Sequence, residues 1–496
     1  MTRRGLAAGL ATLAIYLAAV VGPFSLLSHG TDLTDLGKLT NHQPLAAGMI
    51  TASLTALFVL YGLALLNVAR NGRFSVLCAL GFTALFSLTL IFLYPAMAID
   101  VYNYAVLGHV AWYYHVNPLI TPSSEIAGDS FITYAGSWAD TTSPYGPIWI
   151  TVTMLDAMLA GSNVVLAVLI LKAIEAVAVV GTAAVLAFAF RDRGPRSSAF
   201  AAILFGWNPL VQIELVGNGH NDGVVTFFLV AGLILLARNR TVSGALGIGA
   251  SVLVKYLTLG AIPLLFLATA LQSRHSPRIG WIRFAASAAA LLALVVGSYA
   301  PFWAGPPILQ RIQAVDSNYL SSLPALIILL VPDTVHWLVY PRLLLLAAVG
   351  LWQANALRTG RASLARATFE VLFATVIVAT HFAGWYLALL VAVAVLTGDR
   401  WVQIRMVAFT FATTLTTPLW AYVWWWSQDW MSMTTIHLLV VPLTFVPPLG
   451  VALLASQWPR NVARQHAGKR RSYLDSLYFE IRNAYITARS AVGSSN

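Results

Sequence analysis

Long apolar runs separated by short polar connections dominate this chain. A bilayer core about 30 Å thick takes roughly 20 apolar residues per helix, so most of these runs are long enough to cross a membrane. The pattern predicts spans near residues 6–27, 45–68, 74–95, 164–190, 198–216, 222–237, 241–255, 257–271, 281–301, 335–356, 367–382, 385–398, 402–424 and 433–456. We therefore expect an all-α polytopic membrane protein, a bundle of about 14 transmembrane helices.

Composition supports a membrane protein and excludes a soluble enzyme. Hydrophobic residues make up 59% of the chain and charged residues only 9%, and the mean hydropathy is +0.77. A soluble domain, by contrast, carries about a quarter charged residues. Cys78 is the only cysteine, so no disulfide can form within the chain.

Most basic residues lie on one side of the predicted membrane. Of the 29 Lys and Arg residues, all but Lys38, Lys172, Lys255, Arg311 and Arg342 fall in connections that the span order places in the cytoplasm. Cytoplasmic loops of membrane proteins collect positive charge in this way. The net charge of +11 therefore reflects topology, and we expect no nucleic-acid partner. The distribution predicts a multi-pass cell-membrane protein with both termini in the cytoplasm.

The same charge rule decides between one long helix and two short ones at two places. The apolar runs on either side of Lys255 could form a single helix, and so could those on either side of His381. Single helices would put Arg274 and Arg400 on the outer side of the membrane. We therefore predict a pair of short helices at each place.

Two segments stand apart from the regular spans. The first is an outer loop at about 96–163, whose last part, 147–160, is apolar and predicts an interfacial or re-entrant helix. The second is the basic segment 457–496, where apolar residues at helical spacing predict an amphipathic helix on the cytoplasmic leaflet. We thus divide the chain into a transmembrane domain, 1–456, and a cytoplasmic tail, 457–496.

Asp100 is the first candidate for chemistry, because it ends the third predicted span among aromatic residues. A carboxylate that is partly desolvated at a helix end has a raised pKa and can accept a proton from a hydroxyl group. The alternative is that Asp100 only marks the membrane interface.

Further polar clusters follow at the same predicted outer level. They are Ser143-Pro144-Tyr145-Gly146-Pro147-Ile148-Trp149, Trp207-Asn208-Pro209 with Glu214 and the run 217–222 that holds His220 and Asp222, then Lys255, and Gly384-Trp385-Tyr386 after His381. Each has a plain alternative: an aromatic belt at the headgroups, a lysine that reaches the interface, or a simple turn. No ligand spacing around His220 and Asp222 predicts a metal site. Together the clusters indicate one cavity on the outer side that holds a carboxylate, amides, an imidazole, a cation and aromatic surfaces.

These motifs, in their order from about residue 74 to 390, resemble a known family. Asp100-Val101-Tyr102-Asn103-Tyr104, Ser143-Pro144-Tyr145-Gly146-Pro147, Trp207-Asn208-Pro209, Gly219-His220-Asn221-Asp222 and Lys255-Tyr256 are similar to those of the polyprenol-phosphate-mannose-dependent α-1,6-mannosyltransferases of the GT-C superfamily. The resemblance implies an inverting glycosyltransferase. It would use a polyprenyl-phosphate sugar, most simply mannose, and a glycan or glycolipid acceptor on the extracytoplasmic face.

The resemblance also implies roles for the residues. Asp100, in the first large outer loop, is expected to be the catalytic base, and Lys255 and His220 to bind the donor phosphate. Sugar or acceptor contacts are expected from Tyr102, Tyr104, Tyr145, Asn218, Asn221, Asp222, Trp385 and Tyr386. Some GT-C members carry paired carboxylates in that loop, whereas here Val101 and Tyr102 follow Asp100. We therefore expect no cofactor and favour a metal-independent reaction.

The competing interpretation is a glycolipid transporter or flippase. Transporters place their sites near the bilayer midplane on broken helices, whereas the polar residues here are predicted at the outer ends of helices. Only Lys255 and Glu214 have an ambiguous depth.

Overall fold

The computed structural model describes residues 3–71, 75–272, 277–308 and 320–465, and 79% of the structure is helical. We label the principal helices in chain order. They are α1 Arg3–Ile15, α2 Pro44–Asn71, α3 Val76–Leu90, α4 Asp100–Tyr113, α5 Pro147–Ala160, α6 Val164–Ala189, α7 Pro195–Gly206, α8 Pro209–Gly217, α9 Asp222–Ala237, α10 Thr241–Val254, α11 Ala261–Gln272, α12 Pro277–Tyr299, α13 Leu323–Leu330, α14 Val339–Arg358, α15 Leu364–Val378, α16 Tyr386–Thr397, α17 Arg400–Pro418 and α18 Met433–Gln465.

Shorter helical turns connect these elements. They are Leu26–His29, Leu36–Leu39, Ser123–Glu125, Ser130–Trp138, Arg191–Arg193, Tyr256–Thr258, Ala300–Phe302, Pro332–His336, Leu419–Val423 and Trp424–Ser427. Within the described ranges no β-strand forms. Two isolated β-bridges occur there, between Ser25 and Leu93 and between Leu320 and His381.

The prediction of an all-α polytopic membrane protein is confirmed. Among the described residues, six helical segments of at least 18 residues are apolar enough to cross a membrane: Arg3–Val21, Pro44–Arg70, Val164–Ala189, Pro277–Phe302, Arg400–Ser427 and Met433–Ala455. The bent pair α7–α8 raises this number to seven, and several shorter apolar helices lie beside them. The count of about 14 spans stays a prediction.

Two helices form the centre of the bundle. All residues of α16 from 387 to 395 are buried, and eight of the twelve residues of α7 are buried. A helix that is hydrophobic on every side lies either in lipid or in a protein core, and here the surrounding helices bury it. α16 packs on α9 and α17, and α7 packs on α3 and α6. Trp385 directly precedes the first residue of α16, so the site residue lies at the N-terminal end of this central helix.

The predicted outer loop contains more helix than its hydropathy indicates. α5 has the predicted bounds. Pro147 is its first residue, a position where proline is favoured because an N–H there would have no partner within the helix. The loop also holds α4, whose residues 100–111 are all buried. α4 packs between α5 and the turn Ser130–Trp138. Asp100 thus begins a buried helix.

The motif Trp207-Asn208-Pro209 has a structural role. The Asn208 side chain accepts from the backbone N–H groups of Leu210 and Val211 and thereby caps α8. Its amide nitrogen donates to Thr410 at 3.1 Å, and the Trp207 indole donates to the Ala79 carbonyl at 3.0 Å. These contacts fix a bend of 51° between α7 and α8, which brings the following turn to the site.

Both predicted short helix pairs are separate helices in the structure. α10 ends at Val254 and α11 begins at Ala261, while α15 ends at Val378 and α16 begins at Tyr386. At the end of the chain, α18 continues past residue 456 to Gln465. The amphipathic helix predicted around Leu474 and Tyr485 lies outside the described residues.

Candidate active site

Four chain segments meet at one polar site. They are the first turn of α4 with Asp100, the turn 218–221 before α9, the residue Lys255 after α10, and Trp385 with Tyr386 before and at the start of α16. The contacts of α9 with α6, α10 and α16 hold these segments together. All four segments lie at helix ends, where backbone N–H and C=O groups have no partner within the helix, so polar groups collect there among the apolar helices.

His220 lies between two carboxylates. Its Nδ1 is 3.4 Å from Asp100 Oδ2, and its Nε2 is 3.6 Å from Glu214 Oε2. The ring stacks on Trp385, with 3.7 Å between the ring centroids and 19° between the planes. The side chain is fully buried. The imidazole is therefore fixed in position while neither nitrogen is within normal hydrogen-bond distance of a carboxylate.

Lys255 forms an ion pair with Asp222 at 2.6 Å. The Lys255 side chain is 14% exposed and the Asp222 side chain is fully buried. Two aromatic rings lie beside the ammonium group, with Nζ 4.9 Å from the Tyr386 centroid and 5.8 Å from the Tyr145 centroid. Such rings attract a cation. The ammonium group thus lies next to the site, with a partly open side.

The motif around Tyr145 fits closely against the end of α10. The Gly146 N–H donates to the Val254 carbonyl at 3.0 Å. A Cβ atom at residue 146 would lie 2.0 Å from the Leu253 carbonyl oxygen, so only glycine permits this approach. The contact places Tyr145 beside Lys255, one residue after Val254.

Gly219 has a comparable role in the turn before His220. Its φ of +77° lies in the left-handed region that favours glycine. A Cβ atom there would lie 2.9 Å from the Val101 side chain. The turn therefore packs tightly on α4, and His220 comes within reach of Asp100.

Several polar atoms of the site are buried without a hydrogen-bond partner among the described residues. They are both ring nitrogens of His220, both amide atoms of Asn221, one oxygen each of Asn103, Asn218 and Asp222, and the Tyr104 hydroxyl. Buried polar groups in native proteins almost always have partners. Their concentration here indicates a site for a ligand with many hydroxyl groups or an anionic group.

Asp100 has the electrostatic properties of a base. It lies outside the candidate spans. Burial raises the pKa of its carboxyl group to about 6. The nearby Asp222 also raises this pKa, whereas Lys255 and a hydrogen bond from Trp138 lower it. The carboxylate is therefore largely ionised at neutral pH, yet basic enough to take a proton from a hydroxyl group in a transition state.

Not every predicted site residue joins this cluster. Asp100, His220, Asn218, Asn221, Asp222, Lys255, Tyr145, Trp385 and Tyr386 gather there, and Tyr104 packs edge-on against Tyr145 at 4.9 Å. Tyr102 lies on another side of α4. Its hydroxyl donates to the Gly30 carbonyl at 2.9 Å, and its ring stacks on Tyr134.

The structure adds Glu175 to the site and gives a place in it to Glu214, which the sequence grouped with the polar residues 207–222 without a role. Glu214 faces His220 and accepts from the Asn218 amide at 2.9 Å. Glu175, in the middle of α6, faces the first backbone N–H groups of α9, at Gly223 and Val224. The break at His381 was noticed in the sequence, and its buried Nδ1 has no partner among the described residues. For Glu175 the only signal was a lone carboxylate inside a long apolar run.

Among the described residues, no group of three or more His, Cys, Asp or Glu side chains could hold a metal ion. The expected metal independence stays a prediction.

Comparisons with known proteins show the family of this chain. A family model described as "Alpha-(1->6)-mannopyranosyltransferase, N-terminal domain" matches residues 3–271. Over 255 residues the chain is 27% identical to Alpha-(1->6)-mannopyranosyltransferase A of Mycobacterium tuberculosis, a match that covers 50% of this chain and 45% of that protein.

Two proteins of Corynebacterium glutamicum are also similar. Alpha-(1->6)-mannopyranosyltransferase A is 27% identical over 176 residues, 35% of each chain, and Alpha-(1->6)-mannopyranosyltransferase B is 30% identical over 149 residues, 28% of this chain and 24% of that one. These matches span less than half the length of each relative. No solved structure matches the chain. Because the family model covers more than half of the sequence, the chain belongs to the alpha-(1->6)-mannopyranosyltransferase family.

Proposed function

We propose that this protein is an inverting glycosyltransferase that moves mannose from a polyprenyl-phosphate donor to a hydroxyl group of a lipid-linked or cell-envelope glycan. The observation that carries the proposal is the cluster of Asp100, His220, Asp222 and Lys255, where a base and a cation lie among buried polar atoms without partners. Family membership supports the same class of reaction.

Asp100 is the proposed base. As the acceptor oxygen attacks the anomeric carbon, its proton passes to the Asp100 carboxylate. The bond between the anomeric carbon and the phosphate oxygen breaks, and its electron pair stays on the phosphate. A sugar phosphoester already contains a good leaving group, so the protein has to supply a base, a cation and correct alignment.

Lys255 is the proposed partner of the departing phosphate. Its ammonium group is partly exposed and already balanced by Asp222, and a preorganised cation next to developing negative charge lowers the barrier. The role predicted for His220 at the phosphate stays a prediction. Two carboxylates flank its ring, which makes the Lys255 side of the site the better place for an anion.

Aromatic rings and amides are proposed to hold the sugars. Tyr145, Tyr386 and Trp385 supply flat surfaces around Lys255 and His220, and sugar rings pack on such surfaces through their C–H faces. Asn218, Asn221 and Asp222 have buried polar atoms available for hydroxyl groups. Tyr102 has no part in the proposal, because its hydroxyl is bound to Gly30.

The proposed orientation places this site outside the cytoplasm. The support is the distribution of Lys and Arg, which leaves the segment 96–163 without any basic residue other than histidine. A lipid-bound donor is compatible with that side, because a nucleotide sugar is a cytoplasmic metabolite and no glycine-rich phosphate loop stands out in the sequence.

The test uses purified protein in lipid nanodiscs with a short-chain polyprenyl-phosphate mannose and a synthetic mannoside acceptor. We expect transfer from this donor, none from a nucleotide-linked mannose, and activity that survives EDTA. Loss of transfer in EDTA, restored by a divalent cation, would contradict metal independence. No transfer from any polyprenyl-phosphate sugar, together with movement of a labelled glycolipid between leaflets in proteoliposomes, would replace the transferase with a transporter.

A further inference from the structure

The carboxylate of Glu214 has no role in the proposed reaction, although it lies in the site. It belongs to α8, and its side chain is 14% exposed. One of its oxygens accepts from Asn218 at 2.9 Å, and the same oxygen is 3.6 Å from His220 Nε2. The backbone N–H of His220 also donates to the Glu214 carbonyl at 3.3 Å. Glu214 thus contacts the histidine through both its backbone and its side chain.

His220 links this carboxylate to the base. Its other nitrogen, Nδ1, faces Asp100 at 3.4 Å, and the stacking on Trp385 prevents the ring from turning out of this plane. A neutral imidazole has one donor and one acceptor nitrogen. If Glu214 keeps Nε2 unprotonated, Nδ1 carries the proton and presents an N–H to Asp100; if Nε2 carries the proton, Nδ1 presents a lone pair.

We propose that Glu214 is a positioning residue, which acts through His220 on Asp100. In the substrate complex, the separations of 3.6 Å between Glu214 Oε2 and Nε2 and of 3.4 Å between Nδ1 and Asp100 Oδ2 shorten to hydrogen-bond length, since catalytic hydrogen bonds are often long before substrate binds. Because the ionised Asp100 favours the imidazole proton on Nδ1, the Glu214 carboxyl group then donates to Nε2. Asp100 is then held by the imidazole N–H as well as by Trp138, and its remaining lone pairs are left to take the acceptor proton. This inference rests on the proposed function, because it needs Asp100 as the base.

The arrangement has a physical reason. If the carboxyl group of Glu214 were absent, the imidazole could present either a lone pair or an N–H to Asp100. A lone pair facing a carboxylate repels it and turns it away from the acceptor. In metal sites, groups that orient the ligating side chains contribute about 10- to 100-fold to activity, and we expect an effect of that size from Glu214.

The experiment is a double-mutant cycle on the full-length protein in nanodiscs, with kcat and KM measured for polyprenyl-phosphate mannose. Glu214→Met keeps a similar side-chain volume and removes the hydrogen bond. We expect kcat to fall about 10- to 100-fold with little change in KM. Glu214→Gln keeps a donor in the same place and should restore most of the lost kcat. Glu125→Met, at an exposed glutamate of the outer segment, is the matched control.

The second arm of the cycle introduces the same change into a His220→Ala protein. Because Glu214 acts through His220, Glu214→Met should cost almost nothing further there. Additive losses in the double variant would overturn the inference, as would a Glu214→Met enzyme with the kcat of the Glu125→Met control. Glu214→Ala is the second variant if Glu214→Met does not yield monodisperse protein.

The cycle also separates this inference from the proposed function. If the wild-type protein transfers no mannose, or if Asp100→Asn keeps wild-type turnover, the proposed function fails, whatever the Glu214 variants do. If wild type is active, Asp100→Asn is inactive and Glu214→Met behaves as the control, only the positioning role fails.

Discussion

Two buried histidines of the described residues, His109 and His220, lie next to aspartates, and their surroundings differ. His109, near the C-terminal end of α4, has Nε2 2.7 Å from Asp129 Oδ2, and Tyr114 donates to the same oxygen at 2.8 Å. The other Asp129 oxygen accepts from the Phe131 backbone at 2.8 Å. His220 has Asp100 at 3.4 Å, and both its nitrogens lack a hydrogen-bond partner among the described residues.

The difference teaches how to tell a structural cluster from a candidate site. In the Asp129 cluster the carboxylate accepts three hydrogen bonds from the protein, and it ties the turn Ser130–Trp138 to α4. Such a group is complete without a ligand. In the Asp100 cluster the protein leaves donors and acceptors unused in a buried place, which costs free energy unless a substrate engages them.

The largest expected effect is that of Asp100→Asn. The amide keeps the shape of the side chain but cannot take a proton, so kcat for mannosyl transfer should fall about 100- to 10,000-fold. Turnover of purified protein in nanodiscs measures this, with the thermal unfolding midpoint as a control for folding. An Asp100→Asn protein with turnover close to wild type would remove Asp100 as the base.

The next effect concerns the donor. Lys255→Met removes the ammonium group that we place at the phosphate, and kcat/KM for polyprenyl-phosphate mannose should fall about 100-fold. The substitution also leaves Asp222 buried without its ion pair, so Lys255→Met combined with Asp222→Asn is the matched control. If the double variant regains wild-type kcat/KM, Lys255 serves only to balance Asp222.

A smaller effect follows from pH. Burial raises the pKa of Asp100 to about 6, and the base works only when ionised. kcat/KM should therefore be nearly constant above pH 7 and fall about tenfold per pH unit below pH 6. A rate profile from pH 4.5 to 8 measures the midpoint. A profile without this acid limb would contradict the assignment of Asp100 as the titrating base.

The smallest effect on transfer is expected from Asp129→Asn. Burial alone would raise the pKa of Asp129, but hydrogen bonds from Phe131, Tyr114 and His109 lower it below its usual value. The cluster therefore adds stability above the ordinary pKa near 4, and this contribution is lost as the pH falls below it.

At neutral pH the asparagine should cost about 1–2 kcal/mol of stability, because it weakens hydrogen bonds to a charged acceptor. The rate of transfer should change less than threefold at a temperature where the protein is folded. An Asp129→Asn enzyme as inactive as Asp100→Asn would erase the distinction between the two clusters.

Much of the helical framework could be predicted from sequence. The apolar run 222–237 coincides with α9, and the predicted interfacial helix 147–160 coincides with α5. The break at Lys255 followed from charge placement. These predictions succeeded because hydropathy and charge are local properties of the chain.

α4 was harder to predict because its buried surface is polar and aromatic. Tyr102, Asn103, Tyr104 and His109 lower the hydropathy of a helix that is buried on every side. For the same reason no hydrophobic face indicated which side of α4 points at the site. The sequence grouped Tyr102 with Asp100, whereas the hydroxyl of Tyr102 binds Gly30.

The sequence grouped Glu214 with the polar residues 207–222 but gave it no role, and it gave no signal for Glu175 beyond a lone carboxylate in an apolar run. Glu214 lies in the turn of helix that follows the α7–α8 bend, and Glu175 reaches the site from the middle of α6. Their roles depend on which helices pack together, and a single sequence does not specify that packing. Lys172, noted for its odd position, donates to the Leu93 carbonyl inside the bundle.

The stacking of His220 on Trp385 has a consequence for protein engineering. Asp100, His220 and Lys255 lie within the residues matched by the family model, whereas Trp385 and Tyr386 lie beyond residue 271. The proposed reacting groups and the aromatic residues that face them are encoded far apart and are joined by the packing of α16 on α9. A segment swap confined to 379–386 would therefore change the wall of the cavity while the proposed acid–base groups stay unchanged.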